Sequence, residues 1–241
     1  MTAPALAYRI TALQHRYGDR IVLDVPAIDI ARGETLAIIG PSGAGKSTLL
    51  RLLQFLERPA AGTIEFLGRA ATYPVPLELS RTVATVFQRS QMLERSVRDN
   101  VAFGMRLRGR RLEVEVDTLL ERLALTHLTK AAARSLSGGE MQRVALARAI
   151  ATGADVLLLD EPAANLDPRN VAVVESVIRD LQAQQKTVVL VTHNTHEARR
   201  LASRTLVVID GRMIEAGPTD TIFERPADSR TDAFLRGELI Y

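Results

Sequence analysis

Apolar positions along the chain follow two different rhythms. From Leu6 to Ile39, short apolar runs alternate with turn signals at Gly18-Asp19 and Arg32-Gly33, the pattern of several strands, partly antiparallel. Thr35 to Ile39 reads as a short buried strand that ends at Gly40. Ser47 to Leu56 reads as a helix, with Leu49, Leu50, Leu52 and Leu53 on its apolar face. Gly62 to Leu67 and Val83 to Phe87 read as further strands. From about Arg89 the spacing becomes helical, through Val97 to Leu107 and Val114 to Leu125, with many charges between. Then come a strand at Val156 to Leu159, a helix at Pro168 to Gln184, a strand at Val188 to Val191, a helix at Thr195 to Leu201 and a strand at Thr205 to Ile209.

Strands that alternate with helices predict an α/β fold whose parallel sheet is covered on both faces. The expected layout is one domain over 1–241. A parallel core with an N-terminal antiparallel β subdomain takes 1–88 and 150–241, and an inserted α-helical subdomain takes 89–149. With 241 residues the chain can bury a sizeable core. The formal charge is only +3, and 28 acidic residues nearly balance 31 basic ones, so the composition does not point to nucleic acid. There are no cysteines, which excludes disulfides, thiolate zinc sites and cysteine nucleophiles. The longest apolar runs, such as Val156 to Leu159 and Thr187 to Val191, are far too short to span a bilayer. The first residues lack the basic start and apolar stretch of a signal peptide. Any membrane role is therefore expected to come through a partner.

Gly40-Pro41-Ser42-Gly43-Ala44-Gly45-Lys46-Ser47 matches the P-loop pattern, with a strand before it and a helix after. Glycines let the backbone curl so that successive N–H groups face the phosphates. Lys46 supplies a point charge for the β- and γ-phosphates, and Ser47, with Thr48 beside it, brings a hydroxyl to Mg²⁺. Val156-Leu157-Leu158-Leu159-Asp160-Glu161 adds an apolar strand with two acids at its C-terminal end, the edge where open α/β sheets bind ligands. Asp160 is suited to the Mg²⁺ shell and Glu161 to orienting and polarising an attacking water. These motifs indicate a nucleotide hydrolase or a kinase and do not separate the two.

Leu136-Ser137-Gly138-Gly139-Glu140 precedes a helical run from Met141 to Ala151. Ser137 and Glu140 have capping-box spacing, but two glycines inside the box weaken a helix start. Glycines there make sense where backbone must approach an anion at a helix N-terminus. Leu136 to Arg143, lying before the Asp160-Glu161 strand, resembles the signature of ABC ATPases, and the resemblance covers essentially the whole chain. It implies a P-loop NTPase fold and a head-to-tail homodimer, in which Ser137, Gly138 and Gly139 of one subunit complete the ATP site on the P-loop of the other. It further implies that Tyr17 stacks on adenine, that Gln88 senses Mg²⁺ and the γ-phosphate, and that His193 is a switch histidine at the γ-phosphate. Asn165-Leu166-Asp167 resembles the loop that communicates across the dimer. Met141 and Ala163 depart from the family's usual residues, at positions without a catalytic role.

The resemblance implies a transport ATPase using ATP and Mg²⁺ at the cytoplasmic face of the membrane, with permease subunits and a solute-binding protein as partners. Soluble ABC machines would bring coiled-coil insertions, zinc modules or tandem cassettes, and a kinase would lack the Leu136 signature and His193. Arg89, Arg95, Arg98, Arg106, Arg108, Arg110 and Arg111 form a basic region. It reads equally as a contact for a partner or anionic lipid and as a solvated face. The chain ends soon after Ile209, which leaves no room for a C-terminal regulatory barrel. The residues around Gln88, Asn100, Asn165 and His193 look most like importers of inorganic oxyanions: tungstate, molybdate or phosphate.

Overall fold

The Gly18-Asp19 turn reverses the chain between two long strands, β1 (Leu6–Tyr17) and β2 (Arg20–Ala31), which pair antiparallel with Tyr17 opposite Arg20. This computed structural model describes residues 5–109 and 113–238. A buried strand, β3 (Thr35–Ile39), leads through the glycine-rich loop into α1 (Lys46–Leu53). The short strands β4 (Ala61–Phe66) and β5 (Arg69–Ala70) extend the antiparallel end beyond β1. After α2 (Leu77–Ser80) and β6 (Val83–Val86), the chain enters three helices: α3 (Val97–Leu107), α4 (Glu113–Arg122) and α5 (Gly138–Ala151). It returns through β7 (Val156–Asp160), α6 (Pro168–Ala183), β8 (Thr187–Val191), α7 (Thr195–Leu201) and β9 (Arg204–Ile209).

The last stretch holds a strand and two helices that the apolar pattern did not reveal: β10 (Arg212–Pro218), α8 (Thr219–Glu224) and α9 (Ser229–Leu235). β10 joins the two halves of the fold. It pairs antiparallel with β9 and touches β2 at Arg212 opposite Asp24. The described strands thereby form one ten-stranded sheet, β5-β4-β1-β2-β10-β9-β3-β8-β7-β6, mixed in direction and parallel from β9 to β6. The antiparallel end, β5-β4-β1-β2, is continuous with the parallel strands through β10.

Every residue of β3, β7 and β8 is buried, as a parallel sheet covered on both faces requires. Alternate residues serve opposite layers. Leu157, Leu159, Val188 and Leu190 join a core with α3 to α6, while Val156, Leu158, Val189 and Val191 pack with α1 and the β1–β2 hairpin. Ala37, Ile39, Val207 and Ile209 face α7 and α8. α1 is thus enclosed, and each of Leu49, Leu52 and Leu53, at most 1% exposed, contributes about 1.5–3 kcal/mol by burial. α1 ends before Leu56 because Phe55 turns out of it at φ 65° and packs its ring 5.3 Å from that of Phe66, beside Tyr8.

The basic region is largely engaged within the protein. Arg98 pairs with Asp117, Arg106 with Asp99 at 2.8 Å, and Arg108 donates to the carbonyls of Arg81 and Thr152. Arg95 lies over the Phe103 ring. Arg110 and Arg111 lie outside the described residues. No helix among the described residues is long and apolar enough to cross a membrane.

Candidate functional site

A cavity of about 550 Å³ opens at the C-terminal edge of the parallel strands, around the loop between β3 and α1. Ser42 to Thr48 line it, with Tyr17 from the end of β1 and with Gln88 and Glu161 from the loops after β6 and β7. The loop is possible only with glycine at key points. At Gly40 (φ 148°) a Cβ would lie 1.9 Å from the Val208 carbonyl oxygen, and at Gly45 (φ 93°) 2.8 Å from that of Val22. Gly45 opens α1 without a side-chain cap, so the first N–H groups of the helix remain available for an anion.

Lys46 is 6% exposed, and its ammonium donates to the carbonyls of Gly40 at 2.7 Å and Pro41 at 2.6 Å. Burial lowers its pKa, against the opposing fields of Glu161 and Asp160. Burial likewise raises the Asp160 carboxyl above its ordinary value. The Ser47 hydroxyl, hydrogen-bonded to it, pulls the other way, and Glu161 adds to the rise. Both groups therefore gain from a ligand that restores charge balance in the buried loop.

Glu161 follows β7 with φ 50°, a left-handed conformation that is costly for a residue with a side chain. The turn carries its carboxylate away from the sheet and between two partners. Gln88 Nε2 donates to Oε2 at 3.1 Å, and His193 Nδ1 meets Oε1 at 2.9 Å. A carboxylate only accepts, so Nδ1 of the exposed imidazole is the donor in this contact. Thr192, next to His193, donates to Glu197 at 2.5 Å and accepts from Asn194 N–H at 3.0 Å, which fixes the loop that presents the histidine. Three elements far apart in sequence thus meet at one carboxylate.

The Ser47 hydroxyl, the Asp160 carboxylate and the Gln88 amide oxygen are hard oxygen donors, suited to Mg²⁺. Among the described residues no group of three or more His, Cys, Asp or Glu forms a metal cage. Mg²⁺ habitually keeps several waters and takes substrate phosphates as ligands, so few protein oxygens are needed to hold it.

Ser137, Gly138 and Gly139 are not among the residues lining this cavity. They begin α5. Ser137 caps it by accepting from the N–H of Glu140 at 3.4 Å, and Glu140 accepts from the N–H of Ser137 at 2.8 Å. The glycines lie inside the helix, which starts at Gly138 and not at Met141. A Cβ at Gly138 would meet nothing within 4 Å, so this face is open. Asp167 caps α6 through the N–H groups of Arg169 and Asn170, each at 3.0 Å.

Sequence reasoning missed part of the cavity rim: Arg20, Ile21, Val22, Asp210 and Gly211. Asp210-Gly211 is a hairpin signal between apolar runs and could have been read as a turn. Its place at the site depends on Gly211 N–H donating to the Ala44 carbonyl at 3.1 Å, a long-range contact.

The profile of the family described as "ABC transporter" matches residues 23–164. The chain is 40% identical to a phosphate import ATP-binding protein of Natronomonas pharaonis, over 96% of this chain and 87% of that protein. It is 37% identical to a tungstate uptake system ATP-binding protein of Peptoclostridium acidaminophilum, over 86% and 96% respectively. Among solved structures, cbiO1 from Clostridium perfringens, part of the ABC transporter complex cbiONQ, superposes with a TM-score of 0.80 at 27% identity, covering 97% of both chains.

Proposed function

The chain belongs to the ABC transporter family as an ATP-binding ATPase, and from that premise we propose that it drives an importer of inorganic oxyanions from the cytoplasmic face of the membrane. The observation that carries the catalytic part is the Glu161 carboxylate, held at the mouth of the P-loop cavity by Gln88 and His193. Glu161 polarises the water that attacks the γ-phosphate. Lys46 and the N–H groups of the loop from Gly40 to Thr48 hold the β- and γ-phosphates. His193 faces the γ-phosphate, and Tyr17 receives the adenine. Ser47, Asp160 and Gln88 hold Mg²⁺, which when bound neutralises the charge developing on the transferred phosphoryl group.

Two chains form a head-to-tail dimer. Ser137, Gly138 and Gly139 of one close the site on the P-loop of the other, with Asn165 to Asp167 relaying between them. The open helix start at Gly138 supports this role, because backbone N–H groups there can meet an anion. Residues 89–149 form the helical subdomain that meets the permease, and 1–88 with 150–241 form the nucleotide-binding core. A solute-binding protein completes the complex. The named relatives support an oxyanion, with tungstate, molybdate and phosphate as the candidates.

The test is reconstitution with the permease and binding protein in vesicles, followed by ATP hydrolysis with tungstate, molybdate, phosphate, an amino acid and a sugar in turn. An oxyanion should stimulate turnover and appear inside the vesicles. Stimulation by the amino acid or the sugar alone would refute the solute assignment and leave the ATPase intact.

A further inference from the structure

At the base end of the cavity, Tyr17 is 48% exposed, yet its hydroxyl sits in a closed ring of polar contacts. It accepts from Arg51 Nη2 at 2.7 Å and donates to Glu57 Oε2 at 2.9 Å, while Arg51 Nε lies 2.8 Å from Glu57 Oε1. His15, 8% exposed, places Nε2 at 2.9 Å from Glu57 Oε2, and its ring stands at 88° to that of Tyr17 with centroids 5.0 Å apart. The Tyr17 hydroxyl thus lies within reach of both Glu57 oxygens, 3.1 Å from Oε1 and 2.9 Å from Oε2, and nitrogens from β1 and α1 flank the carboxylate.

These groups come from places with different tasks. His15 and Tyr17 end β1, whereas Arg51 lies on α1, whose first turn carries Lys46 and Ser47. Arg51 Nη2 also donates to the Thr48 hydroxyl at 3.3 Å. Glu57 follows α1 in the connection to β4. An exposed tyrosine at a strand end has free rotamers to lose when a ligand stacks on it. Contacts at the hydroxyl, on the far tip of the side chain, remove that freedom beforehand and leave the ring available.

We propose that Glu57, with Arg51 and His15, is a positioning device that holds the Tyr17 ring ready for the nucleobase and ties it to the helix that carries the phosphate site. This rests on the reading that Tyr17 receives the base. Glu57 acts through Tyr17 and touches no substrate. Its contribution therefore belongs to ligands that carry a base and is absent for the phosphate chain alone.

The experiment measures binding of ATP and of inorganic tripolyphosphate by calorimetry to the full chain and to Tyr17→Ala, Tyr17→Phe and Glu57→Gln, with thermal melts confirming folding. Tyr17→Phe keeps the ring and removes the hydroxyl, and Glu57→Gln keeps the shape and removes the charge. Both should weaken ATP about threefold or more, with Tyr17→Ala weaker still by about tenfold, in the range of a lost aromatic stack. Tripolyphosphate affinity should stay at the parent value in all three. If Tyr17→Ala leaves ATP affinity unchanged, the base does not rest on this ring, and the positioning role falls with that reading. If Tyr17→Ala weakens ATP while Tyr17→Phe and Glu57→Gln do not, the ring stacks without the anchor and the proposal alone is overturned. Equal weakening of both ligands by Glu57→Gln overturns it too, since that residue would then only brace α1.

Discussion

Single atoms decide the phosphate loop. The backbone at Gly40 passes so close to β9 that a methyl group would lie 1.9 Å from the Val208 carbonyl oxygen, and neither partner is a flexible side chain. Gly40→Ala should therefore cost about 3 kcal/mol or more, the scale of a named backbone clash. A denaturant midpoint measured against the parent checks this, and a shift below about 1 kcal/mol would mean that the loop has room to move. Lys46 and Asp160 present the complementary case, since burial moves each toward its neutral form. The loop is costly to build around charges, and a polyanion with its cation is the kind of ligand that offsets that cost.

At the scale of elements, the loop that presents His193 is held from beneath by α7. Glu197, 3% exposed, accepts from Thr192, and its Oε1 has no partner among the described residues. Burial raises its pKa, against the Thr192 hydrogen bond, and Glu175 adds to the rise. The sign follows from linkage. A carboxyl with a raised folded-state pKa favours folding below the ordinary glutamate range, and that contribution is lost as pH rises through the folded value. Glu197→Gln keeps an acceptor for Thr192 and has no charge to bury. Melting temperatures from acid to neutral pH should show the variant losing less than the parent as pH rises, ending a few degrees above it near neutrality. Parallel curves would show that Glu197 carries its charge at no cost. Elements were the level at which the sequence was most legible. The buried strands β3, β7 and β8 read correctly because a parallel sheet demands unbroken apolar runs, and α6 because Pro168 and the preceding Asp167 mark its start. β10, α8 and α9 escaped because few of their residues are buried and those carry no clean period.

In the whole molecule, distant segments finish the site. Gln88, Glu161 and His193 stand at the ends of different strands, and Asp210-Gly211 reaches the cavity only because β10 lies beside β2. Local motifs exposed the phosphate loop and the acidic strand end, since each is contiguous in sequence. The ion pair that engages Arg98 with Asp117 depends on the packing of α3 against α4 and could not be read that way. The open start of α5 faces outside its own cavity, which leads to a prediction about two chains. Ser137→Arg blocks that face and Lys46→Ala disables the P-loop, so mixing the two inactive variants should restore part of the ATPase in heterodimers that retain one intact composite site. Confirmed mixing with no gain over the separate variants would count against the arrangement in trans. The central claim, that Glu161 drives hydrolysis at this cavity, is tested most directly by ATP turnover of Glu161→Gln measured together with its bound nucleotide. Turnover should fall by about 100-fold or more, in the range of general-base loss, with ATP retained on the protein; near-parental turnover would show that Glu161 does not drive hydrolysis.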